Sequence, residues 1–139
     1  MKPSHRRKAR EYALQALYQW HMAHADLADI EDEFLIDCNF QKADLPYFRI
    51  LLYGVPEQVS LLDEKITPLL DRKITELGPI ELSVLRLSTY ELLCCLDVPY
   101  KVVINEGIHL TKKFGATEAH KYINGVLDKL ARILRSDER

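Results

Sequence analysis

Apolar residues return at intervals of three and four along most of the chain, and sustained alternation of period two is absent. The pattern predicts helices and no sheet. In "MKPSHRRKAREYALQALYQWH", Ala13, Leu14, Leu17, Trp20 and His21 share one face of a first helix, while Glu11, Gln15 and Gln19 occupy the other. Arg6 and Arg10 fall on the apolar side, one to two turns above Leu14 and Leu17. A core-facing arginine pair is costly. The expected geometry is therefore a helix that overhangs the body, with both guanidinium groups beyond the packed region. Arg7, Glu11 and Tyr18 run along one edge of the stripe.

A short helix is expected near residues 27–38, followed by the polar break "NFQKADLP". "PYFRILLYGVPEQVSLLDEKITPLL" has helical spacing, but Pro56 and Pro68 should each kink or restart it, because proline lacks the donor and clashes with the preceding turn. "LGPIELSVLRLSTYELLCCL" opens on Gly78 and Pro79, a stop followed by a first-turn proline. It is apolar on most faces apart from Ser83, Arg86 and Tyr90, which predicts a central, largely buried helix. The next helix starts after Pro99 and stops at Gly115, with Lys112 and Lys113 in the last turn where the dipole favours cations. Thr117 is expected to cap a final helix through about Leu134, with Glu118 in its first turn. Ile123, Val126, Leu127, Leu130 and Leu134 form its buried stripe, and their spacing carries the helix across Asn124-Gly125. The predicted fold is all-α: a single domain over residues 1–139, about seven helices in two small sub-bundles. The first sub-bundle takes about residues 1–70 and the second four segments.

Composition agrees with one globular domain of 139 residues, 47% apolar and 29% charged. Charge changes the picture. The net value is only −2, yet the first ten residues hold Lys2, Arg6, Arg7, Lys8 and Arg10 with no acid. Residues 26–44 hold seven acids against Lys42. Cations are disfavoured at a helix N-terminus, so the basic end suggests an external anion. Arginine outnumbers lysine there three to two, and its planar fork suits phosphate. Tyr18 on the same helix adds a ring, and cation plus aromatic is the combination that holds single-stranded nucleic acid. A merely solvated, solubilising terminus is a comparable reading of the charge alone.

Catalytic patterns are missing. There is no glycine-rich phosphate loop, nucleophile elbow or zinc-protease motif. His21 and His24 alone are too few for a structural metal site, and Cys94-Cys95 lacks redox spacing. The expectation is no enzyme, no cofactor and no metal. Cys38, Cys94 and Cys95 are read as buried reduced thiols. With no secretory signal pattern and no membrane-spanning apolar run, the chain is read as cytoplasmic, without membrane association.

Four stretches resemble the NusB family of bacterial transcription antitermination factors over essentially the whole chain. They are "RRKAREYALQALYQW", "YFRILLYGV", "ELGPIELSVLRLSTYEL" and "DVPYKVVINEGIHLTKKFGATEAHKYINGVLDKLA". The last is the most specific, with "P..V.INE", "K.FG" and "NGVLD" at family spacing. The resemblance implies two small helical bundles without catalytic activity. It further implies pairing with a small ribosomal subunit protein that acts as NusE, and joint binding of boxA, a single-stranded element of nascent ribosomal RNA transcripts. RNA polymerase carrying this antitermination complex resists termination. Some family members self-associate, and a homodimer would cover the basic end.

Residue by residue, the resemblance implies RNA contact by Lys2, Arg6, Arg7 and Arg10, by Tyr122 with Lys121, and by Glu118 in the same region. Tyr18 and Glu81 match positions near the protein partner, and Tyr18 is also placed on the RNA side. On the residues alone, Tyr122 is a core-edge aromatic and Glu81 a first-turn carboxylate complementing the dipole. Tyr122 stands where phenylalanine is common. Gly107 replaces a usual alanine, at about 1 kcal/mol of helix propensity. Asn105, Glu106 and Asn124 are expected to pack and hydrogen-bond rather than touch ligand. Two other classes compete with this reading: the substrate-binding helical domain of RNA cytosine methyltransferases, whose catalytic domain this chain lacks, and a helical bundle that binds protein only.

Overall fold

A computed structural model describes residues 2–138. Among these residues there are seven α-helices, three short 3-10 turns and no strand. The chain divides into two compact units, Met1–Glu57 and Gln58–Arg139. The division therefore falls earlier than the expected position near residue 70. Pro56 sits in the last turn of its helix, where its missing donor ends the ladder. The chain turns at Gln58, and the helix that follows packs with the later segments.

The first unit contains α1 (Pro3–Ala23), α2 (Leu27–Asp37) and α3 (Leu45–Glu57). Pro3 opens α1 in the first turn, where no donor is needed. His24 closes it in the left-handed region at φ 53°. Asp26 caps α2 by accepting from the Ala28 amide at 2.8 Å. Asp44 does the same for α3, accepting from the Tyr47 amide at 3.0 Å, while its own amide donates to the His5 carbonyl. α1 packs chiefly on α3. Ala13, Leu14 and Leu17 are buried as the stripe predicts, whereas Trp20 and His21 are only half-buried.

The second unit contains α4 (Val59–Ile66), 3-10 turns at Thr67–Leu69 and Ile74–Glu76, α5 (Pro79–Cys94), α6 (Tyr100–Phe114), α7 (Ala119–Leu134) and a closing 3-10 turn at Ser136–Glu138. α5 is the hub, packed by α4, α6 and α7. Its polar stripe is folded inward rather than solvated. Ser83 is buried and donates to the Pro79 carbonyl at 2.8 Å, and Arg86 binds Asp63 through two N–H groups at 2.9 and 2.8 Å. Gly107 is also buried. A Cβ there would sit 2.6 Å from Leu127 Cδ1 and 3.0 Å from Ser88 Oγ, so the glycine admits a close approach and its propensity cost is not a simple loss.

Three local expectations are corrected. Thr117 does not cap α7: the capping position is Glu118, in the left-handed region at φ 71°. α7 runs unbroken through Asn124-Gly125, but Asn124 is exposed rather than packed, as is Asn105 on α6. Of the three free cysteines only Cys95 is buried, with Cys94 exposed and Cys38 half-buried.

Candidate nucleic-acid interface

The basic run lies at the start of α1, and α3 decides what two of its cations do. Arg10 is 3% exposed, with its guanidinium 5.4 Å from the centre of the Tyr47 ring. Arg6 lies 4.2 Å from the same ring and its Nε is 3.7 Å from Asp44 Oδ2. The predicted overhang is thus overturned for Arg10 and only partly met by Arg6. One tyrosine ring serves both guanidinium groups, and the carboxylate that caps α3 supplies counter-charge to Arg6, so two arginines can sit on an apolar stripe. Lys2 and Arg7 are exposed, and Tyr18 is half-buried farther along α1.

On the second unit, Tyr122 projects from the first turn of α7 toward the segment before α5. Its hydroxyl accepts from the Asp71 amide at 3.4 Å, and the Arg72 guanidinium lies 4.5 Å from its ring centre. Burial pushes the Tyr122 phenol above its ordinary pKa. Asp71 is held below the usual carboxylate range, first by Arg72 and then by the Tyr122 hydroxyl. Lys121 Nζ meets Glu118 Oε2 at 2.6 Å, both side chains well exposed. Glu81, half-buried in the first turn of α5, accepts from the Ala116 amide at 3.2 Å through Oε2. A side chain at either Gly78 or Gly115 would collide with that carboxylate. Glu81 therefore ties the start of α5 to the α6–α7 connection.

Among the described residues no group of three His, Cys, Asp or Glu could hold a metal, and no helix is long and apolar enough to cross a membrane.

The NusB family profile matches residues 7–132. This chain belongs to the NusB family. The transcription antitermination protein NusB of Pseudomonas fluorescens (strain Pf0-1) is 57% identical over 137 residues, covering 99% of this chain and 82% of that protein. The solved structure of T. maritima NusB matches the fold with a TM-score of 0.82 at 31% identity, covering 95% of this chain and 93% of that one. Another match, at a TM-score of 0.77 and 25% identity over 95% of this chain and 99% of the other, is a crystal structure of antitermination factors NusB and NusE in complex with double-stranded RNA. NusB proteins are transcription antitermination factors and not enzymes, so the methyltransferase alternative falls away.

The NusB-type motifs can now be placed. In "INE", Glu106 is buried while Asn105 faces solvent. In "K.FG", Gly115 leaves α6 in extended backbone and leaves room for the Glu81 carboxylate. In the first unit Arg6 and Arg10 lie against the Tyr47 ring of α3; in the second, Tyr122 and Lys121 share the first turn of α7. Sequence reasoning missed Arg72 and Tyr47 altogether. The only available signal for Arg72 was a cation between Pro68 and Gly78, with nothing to link it to a ring fifty residues later.

Proposed function

We propose that this NusB-family chain is an RNA-binding adaptor of transcription antitermination. Together with the small ribosomal subunit protein that acts as NusE, it holds boxA RNA in nascent ribosomal RNA transcripts, and the assembled complex lets RNA polymerase pass terminators in the cytoplasm. The observation that carries this reading is 57% identity to an antitermination protein along nearly the full chain. A related NusB solved with NusE and RNA indicates the classes of partner.

The geometry supports a division of labour among the basic residues. Lys2 and Arg7 meet phosphate directly, and Arg6 joins them by exchanging its long contact with Asp44 for a closer one. Arg10 acts from beneath, holding the Tyr47 edge on which Arg6 rests. On the second unit Lys121 and Tyr122 take RNA beside Glu118, whose carboxylate trims the local positive charge. Tyr18 and Glu81 serve the protein partner, Tyr18 also lying along the helix that carries the cations.

The test is an electrophoretic shift with boxA RNA and a scrambled control, with and without the ribosomal protein. BoxA RNA should shift selectively, and more strongly with the partner present. Arg7→Glu should weaken the complex roughly tenfold or more, the loss of one charge-assisted contact. Equal shifts for boxA and scrambled RNA, or an Arg7→Glu variant that binds like the parent, would overturn the assignment.

A further inference from the structure

Asp71 and Arg72 stand side by side between two 3-10 turns, with side chains 65% and 45% exposed. Their position is fixed from outside the segment. The Asp71 amide donates to the Tyr122 hydroxyl, and the Arg72 guanidinium lies against the Tyr122 ring. The fork of Arg72 is spent on its neighbour: Nε donates to Asp71 Oδ1 at 2.8 Å and Nη2 to Oδ2 at 3.4 Å.

Two N–H groups of one guanidinium gripping two oxygens of one anion is also how arginine holds a phosphodiester. The Asp71 carboxylate is held by this exposed pair, which is weak in water, and by the Tyr122 hydroxyl, so another two-oxygen anion can take its place at both. The cation–ring contact and the amide tie to Tyr122 do not involve the carboxylate. They keep the guanidinium in place when Asp71 leaves.

We propose that Asp71 is a built-in stand-in for an RNA phosphate. It covers the Arg72 fork in the unbound chain, and a phosphodiester of single-stranded RNA displaces it to sit on Arg72 at the edge of Tyr122. This rests on the RNA-binding reading above and adds a site, Arg72 with its masking acid, that the family resemblance does not assign. The mask makes contact at Arg72 competitive, so the site rewards an anion that is positioned by neighbouring contacts over one arriving alone.

The experiment measures anisotropy of fluorescein-labelled boxA RNA with the full chain over a range of salt concentrations. The variants are Asp71→Asn, Arg72→Gln and the two combined. Asp71→Asn should bind about two- to fivefold tighter, the worth of an exposed pair. Arg72→Gln should bind more weakly, and its plot of log affinity against log salt should be shallower by about 0.7, one phosphate contact on a single strand. The double variant should match Arg72→Gln, because unmasking matters only while the fork is there. If Asp71→Asn tightens binding by the same factor with or without Arg72, the acid acts merely as a distant charge and the stand-in is refuted. It is equally refuted if Asp71→Asn and Arg72→Gln both bind as the parent does while Arg7→Glu weakens binding; the RNA-binding reading would then survive alone. A parent chain that binds no RNA at low salt would remove both.

Discussion

Arg10 and Arg7 are three positions apart on one helix and differ in almost everything that governs an arginine. Arg7 is exposed; Arg10 is 3% exposed against the ring of Tyr47. Arg10→Ala should therefore act on folding first, with a loss on the order of 2 kcal/mol from the desolvated cation–ring contact and further loss from the packed methylene stem. Thermal or urea melts measure the loss. At a temperature where the variant stays folded, its boxA affinity should fall less than that of Arg7→Glu; an undiminished melting temperature with abolished RNA binding would reverse the two roles. The spacing that put Arg10 on the apolar face was correct. What the sequence withheld was its company, because the compensating ring, that of Tyr47, lies more than thirty residues away on α3. Glu118 was opaque for a different reason: a side chain at φ 71° follows from how the α6–α7 connection closes, and no residue type advertises it.

The helices themselves were legible because each carries its own punctuation. Pro79 and Pro99 mark starts, Gly115 marks a stop, and the apolar spacing of α7 outweighs the Asn-Gly pair within it. The last residues show no pattern beyond the end of a helix, yet they hold one of the most heavily bonded groups in the second unit. Arg135, 5% exposed, donates to the carbonyls of Glu91, Leu92 and Cys95 at the end of α5 and to that of Val98 just beyond it. It also binds Glu138, which accepts from the Tyr100 amide at the start of α6. A cation at the negative end of one helix and an anion at the positive end of the next are each favourably placed. Arg135→Ala should cost about 3 kcal/mol, since it orphans buried carbonyls as well as removing charge-assisted bonds. Glu138 is held below the usual carboxylate range, first by the Tyr100 amide and then by Arg135. Its contribution is present above that range and disappears as pH falls through the lowered value. Acid titration of the parent and of Glu138→Gln, followed by circular dichroism, should show the difference between them vanishing toward low pH; a difference that grows on acidification would contradict this linkage.

The whole molecule is slightly acidic at −2, so attraction to RNA must come from where its cations stand rather than from their number. Five groups lie on the proposed contact surfaces: Lys2, Arg6, Arg7, Arg72 and Lys121. Each should release its share of counterions, giving a slope of log affinity against log salt of about −3.5 on single-stranded RNA. A slope near that of ten contacts would mean that buried Arg10 and the other inward cations also reach the backbone. The division into two units follows the expectation, but its place does not, because Pro68 looks as strong a break as Pro56. Packing of α4 against α5 decided between them. Glu81 carries a last consequence. Its carboxylate is wedged between two glycines and fastens the connection from which the final helix springs. Exchanging it for alanine would slacken that hinge and let the first turn of α7 drift, so a lost partner after such a substitution reports altered posture as readily as a lost handshake. Pairing Glu81→Ala with an amide-exchange measurement at Ala116 separates the two.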